Sequence, residues 1–215
     1  MSEEAMASDE IMDAVYRALC ANGYAELTMQ DIAGECEKSK SLLHYHYDTK
    51  ADLLVAFLDD MLTDYEERLA SEADSEPVER LVEFVARFVF TPDETERESF
   101  HLALLEMRSQ GPFNERIQEQ LDRSDELLRE SVAEILTAGI EDGSFEPVDV
   151  DRTAALLVAT LDGARTRQIT LGDSQPASAY TRIVAEEALD RIVNPLLAAG
   201  VERPPLDEAL QQLDD

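Results

Sequence analysis

Along nearly the whole chain, apolar side chains return every third or fourth residue, and no stretch alternates apolar with polar for the length of a strand. The pattern opens with Ile11, Val15, Ala18 and Leu19, one face of a helix. It resumes with Leu53, Leu54, Phe57, Leu58, Met61, Leu62 and Tyr65, and again with Leu81, Phe84, Val85, Phe88 and Val89. Helices patterned in this way are stable when their stripes are buried against one another, so the chain is expected to be all-α. No internal repeat is visible.

The breaks between stripes carry helix-ending chemistry. Ser8 can cap the first helix, and Gly23 fits its end. Thr28-Met29-Gln30-Asp31 reads as a capping box that opens a short second helix, with Met29, Ile32 and Ala33 inward. Ser39 can cap a short third helix running to about Tyr47. Thr49-Lys50-Ala51-Asp52 is a second capping box, at the head of a long fourth helix. After a polar break at 71–77, a fifth helix is predicted over about 77–90. Thr91-Pro92-Asp93-Glu94 stops it and starts a sixth, which ends at Gln110-Gly111-Pro112. The seventh runs from about 113 to 141, the eighth over 150–171 and the ninth over 177–199. About nine helices result. Three short ones form an N-terminal helix-turn-helix bundle, and the fourth joins it to a larger C-terminal helical domain. The expected divisions are 1–50, 51–200 and a partly mobile tail, 201–215, that holds two prolines.

The chain carries 48 Asp and Glu against 18 Lys and Arg, a net charge of −30. So acidic a surface repels nucleic acid, anionic lipid and acidic partners. The distribution says more. There are only three lysines, Lys38, Lys40 and Lys50, all within 13 residues, while 15 arginines are spread along the chain. Lys38 to Tyr47 contains no acid, although Gly163 to Gly172 is also acid-free and holds Arg165 and Arg167. Many acids, few lysines, no Trp and two Cys resemble the composition of salt-in halophiles, where molar salt cuts the Debye length to about 3 Å. Cys20 and Cys36 are too few for a disulfide scaffold or a four-ligand zinc site, and read as small apolar groups. No apolar run approaches the roughly 20 residues of a membrane span. The N-terminus lacks the apolar stretch of a secretory signal, so a cytoplasmic protein without membrane contacts is expected.

Two short helices joined by Gly34 to Lys38, the second basic and acid-free, suggest a helix-turn-helix. Around it stand Gly23-Tyr24, Thr28-Met29-Gln30-Asp31-Ile32-Ala33, Ser39, Leu43-His44-Tyr45-His46-Tyr47, Lys50 and Leu53-Leu54. Their spacing resembles that of the tetracycline-repressor (TetR) family of transcription regulators, without a gap from Ile11 to Phe57. The remainder is similar only in helix number and length. The resemblance implies a sequence-specific DNA-binding regulator, most often a ligand-responsive repressor, acting as a homodimer. It also implies roles for single residues. Thr28 and Tyr45 meet DNA phosphates, and Lys50 opens the helix after the motif. Ser39, Lys40, Ser41 and Leu42, with His44 close by, touch bases and flanking phosphates. Hydroxyls and helix N-termini suit phosphate, and Lys40 can donate to guanine acceptors in the major groove. Leu43 and Tyr47 read as core. The family usually has Gly where this chain has Glu37, and an apolar residue where it has Lys38, whose charge still serves the approach to DNA.

For the C-terminal domain the resemblance implies dimerisation and an unidentified small-molecule effector held among the fifth to seventh helices. The lining candidates are Phe84, Phe88, Phe100, His101, Leu104, Met107, Phe113 and Ile117, with Arg167 and also Glu106, Arg108 and Arg165 as polar anchors. An aromatic and methionine stripe at helical spacing is more often plain core. The last two helices carry Ala154, Leu157, Val158, Leu161 and Ala164, then Ile183, Val184, Ala188, Ile192 and Leu196. These faces either close the intramolecular core or form a four-helix interface between two copies, and the family favours the interface. A dimer presents two recognition helices to a pseudo-palindromic duplex operator.

No cofactor or metal is implied. His44 and His46 point to different helix faces. Glu98-Ser99-Phe100-His101 has Glu-x-x-His spacing but lacks the second pair a di-iron bundle requires. No nucleophile–base pair stands out, so no enzymatic activity is expected. The competing reading is an all-α interaction module that has lost DNA binding. Residues 1–50 speak for it, with ten acids against four bases. Because salt weakens phosphate-driven binding, direct base contacts are expected to carry more of the affinity here.

Overall fold

The structure, a computed structural model, describes residues 3–36, 43, 46–71, 75–91, 95–171 and 179–213, without the side chains of 3–8, 70, 71 and 179. The described elements are helical: α1 (Glu3–Glu26), α2 (Met29–Glu35), α3 (Lys50–Ser71), α4 (Pro77–Ala86), α5 (Thr95–Arg108), α6 (Glu115–Asp142), α7 (Val150–Leu171), α8 (Ala179–Ala188) and α9 (Leu206–Leu213). A lone antiparallel bridge pairs Phe145 with Leu197. Among the described residues no helix is long and apolar enough to cross a membrane. The chain forms two compact units, Met1–Glu67 with Thr95–Ser124, and Arg68–Glu94 with Asp125–Asp215. The first is larger than the segment 1–50, because it takes in most of α3, all of α5 and the start of α6.

In the first unit, the predicted stripe of α1 is buried with Ile32, Leu43, Leu53, Leu54 and Phe57. Phe100, Ala103 and Met107 of α5 and Ile117 of α6 complete that core. α1 starts at Glu3 rather than at a Ser8 cap. Its regular course stops at Gly23, whose φ of 68° lies in the left-handed region. On α6, Arg116 and Arg123 are seven residues apart; they pair with Asp52 and Asp59, also seven apart on α3, and Arg123 reaches Glu66 at 2.9 Å. Exposed pairs of this kind add little to stability, so they select the register of two helices held by the core.

In the second unit, Leu81, Phe84 and Val85 of α4 pack with Val132, Ile135 and Leu136 of α6, Leu157 and Leu161 of α7, and Ala185 and Leu189. α4 ends at Ala86, short of the predicted 90, yet Phe88, Val89 and Phe90 stay buried. The chain can leave the helix there because side chains meet its backbone groups: Phe90 N–H donates to the buried Thr181 Oγ1 at 3.1 Å, and Arg165 Nη2 donates to Arg87 O at 2.8 Å. The ninth predicted helix also divides. α8 is followed by a π turn, Leu189–Val193, in which Asn194 N–H reaches back to Leu189 O, and by a 3-10 turn, Asn194–Leu196, that contains Pro195. The extra residue shifts the phase, so Val193 rather than Ile192 is fully buried.

Part of the segment 201–215 forms α9. Leu206 and Ala209 are buried and pack α9 against α4. Arg182 pairs with Asp207, and Arg203 bridges Asp190 (2.8 Å) and Asn194 (2.7 Å). Of the predicted stripe on α7, Ala154, Leu157, Val158 and Leu161 close the core of their own unit, and Ala164 is buried. The opposite face of α7 exposes Ala155, Leu156, Ala159 and Gly163.

Between α6 and α7 the ring of Phe145 lies on Gly139, where an added Cβ would stand 2.1 Å from Phe145 Cδ2. Gly139→Ala therefore overpacks the unit. We expect a net loss of about 2 kcal/mol in equilibrium denaturation, since overpacking outweighs the roughly 1 kcal/mol alanine gains in helix propensity.

Candidate nucleic-acid interface

The helix-turn-helix is built from its caps upward. Thr28, extended at φ −123° and ψ 161°, stands before α2 and is exposed. Its Oγ1 accepts from the N–H groups of Gln30 (3.2 Å) and Asp31 (3.3 Å). In return, Thr28 N–H and O–H both donate to Asp31 Oδ2, at 2.8 and 2.6 Å. This is the predicted capping box in full. Thr49 repeats it: its N–H and O–H donate to Asp52 Oδ2 at 2.9 and 2.6 Å, and Asp52 also holds Arg116. The Thr28 hydroxyl hydrogen bonds hold the Asp31 carboxyl below its ordinary 3.8, and those of Thr49, then Arg116, do the same for Asp52.

Lys50 takes a position the sequence does not disclose. Its Nζ donates to the carbonyl oxygens of Tyr24 and Leu27, both at 2.9 Å, and lies 4.7 Å from the centre of the Tyr24 ring. Burial pulls its ammonium down from the usual lysine range, and Glu26 opposes this. The amides of the same turn face the other way: Tyr24 and Ala25 donate to Glu106 Oε2 of α5 at 2.7 and 3.1 Å. Glu106, considered from sequence as an effector anchor, is thus engaged with the turn before α2.

Lys38, Ser39, Lys40, Ser41, Leu42, His44 and Tyr45 lie outside the described residues, as does Glu37. The residues that bracket them are described. Leu43 is fully buried, Tyr47 N–H donates to Leu43 O at 2.8 Å as at the end of a helix, and His46 is exposed. Arg17 of α1 donates to Glu35 O at 2.9 Å, fastening the end of α2.

The effector candidates separate. Phe84 and Phe88 belong to the core of the second unit, with ring centroids 5.4 Å apart. Phe100, Met107 and Ile117 belong to the core of the first, and Leu104 packs on it. There Phe100 meets Tyr16 at 4.6 Å and Phe57 edge-on at 6.0 Å, while half-buried His101 lies edge-on to it. Phe100 and Met107 of α5 and Ile117 of α6 are all buried in this core. Phe113, in the 3-10 turn Gly111–Phe113, is 87% exposed. Arg167 is exposed and lies over Tyr180, and Arg165 stacks on Phe88 at 4.2 Å. A groove of about 310 Å³ between α1 and α5 is lined by Arg17, Cys20, Ala21, Thr95, Glu96 and Ser99. Burial pushes the Cys20 thiol up, and pushes its neighbour Tyr16 to about 12, so this thiol is a poor nucleophile. Among the described residues no three His, Cys, Asp or Glu gather as metal ligands.

The caps carry a pH signature. A carboxyl lowered on folding stabilises the fold above its unfolded value, and that contribution is lost as pH falls through the folded value. Asp60, raised by burial and by Asp64, Asp9, Asp59 and Asp13, has the opposite sign: its contribution is full at low pH and is lost as pH rises. Carboxyl titration by NMR is expected to place Asp31 and Asp52 below 3.8 and Asp60 above it, the Thr28 and Thr49 amides moving with the first two.

Residues 11–57 match the family described as bacterial regulatory proteins, tetR family, and residues 77–194 match the C-terminal region of BetI-type transcriptional repressors. Among solved structures, a TetR transcription regulator from Haloarcula marismortui is similar at 36% identity and TM-score 0.75, over 90% of this chain and 99% of that one. A structure from Saccharomonospora viridis in complex with choline shares the fold at 23% identity and TM-score 0.73, over 87% of this chain and 97% of that one. FadR from Bacillus subtilis in complex with stearoyl-CoA does so at 19% and 0.65, over 83% and 95%. A search of curated proteins finds no match.

Proposed function

The chain belongs to the TetR family of DNA-binding transcription regulators, and from that membership we propose that it is a homodimeric, ligand-responsive repressor of a pseudo-palindromic operator. The observation that carries this reading is the match over 11–57, centred on an α2 that is capped by Thr28 and closed on a core including Leu43. Ser39, Lys40, Ser41, Leu42 and His44 face bases and flanking phosphates; Lys38, Tyr45 and Thr28 serve the backbone. Thr28 meets a phosphate only by exchanging the Asp31 carboxylate that now takes both its donors, or by sharing them with it. Lys50 contributes by holding the turn before α2, besides any phosphate it reaches. The work is done in the cytoplasm, with 1–50 reading DNA and 51–200 serving the effector and the dimer.

The effector is a small molecule that binds one of two dimer states better and so shifts the population that fits DNA. The neighbours' ligands, choline and stearoyl-CoA, differ too much in size and charge to fix its class. In this chain Arg165 stacks on Phe88, an aromatic surface of the kind that receives a quaternary ammonium.

Fluorescence anisotropy in molar potassium chloride, with DNA from upstream of the protein's own gene and shuffled DNA as control, tests the regulator. We expect selective binding that falls at least tenfold in Tyr45→Ala and in Lys40→Ala. Binding to no genomic duplex would favour the interaction module.

The dimer contact that fits best uses the outer face of α7, where Leu156 is 57% exposed beside Ala155, Ala159 and Gly163, with Ile183 of α8 also 51% exposed. Small residues let helices approach closely, and exposed leucine and isoleucine supply apolar area. Leu156→Asp is expected to convert the dimer to monomer in sedimentation velocity, with helicity unchanged.

A further inference from the structure

Gly23 interrupts α1 and leaves the following backbone groups without helical partners. The turn that it starts is held from two sides. Tyr24 and Ala25 N–H go to the Glu106 carboxylate at 2.7 and 3.1 Å, and the carbonyls of Tyr24 and Leu27 go to the Lys50 ammonium at 2.9 Å each. Next in the chain, Thr28 caps α2. The glycine fits this arrangement: its φ is 68°, and a Cβ there would stand 3.1 Å from Glu106 Oε2.

We propose that Glu106 is a positioning residue for DNA binding: by holding the two amides before α2, its carboxylate fixes where α2 and Thr28 stand against α5. The inference rests on the reading of 11–57 as the DNA-binding segment. A hydrogen bond from an amide to an ionised carboxylate is roughly twice as strong as a neutral one, and it is directional. Sliding α5 by about 1 Å along that bond takes a 2.7 Å contact out of good hydrogen-bonding range. The start of α2 therefore follows α5 or lets go of it. The adjacent Met107 is fully buried and keeps α5 in the core whether or not Glu106 holds the turn.

The test compares full-length wild type, Glu106→Gln and Glu106→Ala. The DNA probe is the genomic duplex that the wild type enriches most strongly. Amide exchange is followed on the same proteins without DNA. In Glu106→Ala, exchange at Tyr24, Ala25 and across α2 is expected to rise at least tenfold, with the second unit unchanged, and duplex affinity to fall tenfold or more. Glu106→Gln keeps an acceptor oxygen and is expected to bind within threefold of wild type. Wild-type affinity in Glu106→Ala would overturn the inference. So would an affinity loss in both variants accompanied by faster exchange across the whole first unit, which would mark a general loss of stability. Wild type that enriches no duplex would instead overturn the regulator reading, and this inference with it.

Discussion

In the first unit a carboxylate is aimed at backbone N–H groups at two helix starts and at the break in α1. Asp31 meets the Thr28 amide, Asp52 meets that of Thr49, and Glu106 meets those of Tyr24 and Ala25. Asp142 does the same for Ser144 after α6, at 2.8 Å. With 48 acids and 18 bases, most carboxylates in this chain have no cation to meet. Helix starts and turns offer partial positive charge from unpaired amides, and these acids are placed there. The first unit depends on this, because its short helices have few turns of their own to hold them in place.

The part of this scheme within one turn of helix was legible in the sequence. Thr28 with Asp31 and Thr49 with Asp52 are three residues apart, so the pattern names both partners. Glu106 is 82 residues from Tyr24, and nothing in its neighbourhood marks it as a cap. Gly23 was the visible half: a glycine at the end of a helical stripe predicts a left-handed residue, without saying what will approach it. Arg165 and Thr181 escaped for the same reason. They satisfy backbone groups that became unpaired only because α4 stops at Ala86, and the apolar stripe through Phe88 and Val89 gave no sign of that stop. The residues expected to meet DNA between Lys38 and Tyr45 rest on sequence resemblance, and among them stands the buried, described Leu43.

Folding and chain order are not aligned in this regulator. The chain enters the second unit at Arg68, returns to the first at Thr95 and leaves it again after Ser124. The core around α1 is finished by Phe100, Ala103, Met107 and Ile117, and three of these, Phe100, Met107 and Ile117, are among the residues that family resemblance suggested for an effector cavity. A stripe read from sequence says that a helix face is covered, and the fold decides by what. The same holds for α7, where Ala154, Leu157, Val158 and Leu161 serve their own unit and the small residues of the opposite face are exposed.

The wide turn at Leu189–Val193 has a consequence for how this chain can change length. A π turn holds one residue more than an α-helical turn between the same two ends. Removing one residue there would leave a regular helix with no gap, but would rotate the chain beyond Val193 by about 100° on the helix axis. Asn194, which ties Arg203 and Asp190 together, would then face another direction, and the path to α9 would start from the wrong side. The turn therefore acts as a phase adjuster. It lets a helix whose first half is set by the core of its unit end with the orientation that the closing segment requires.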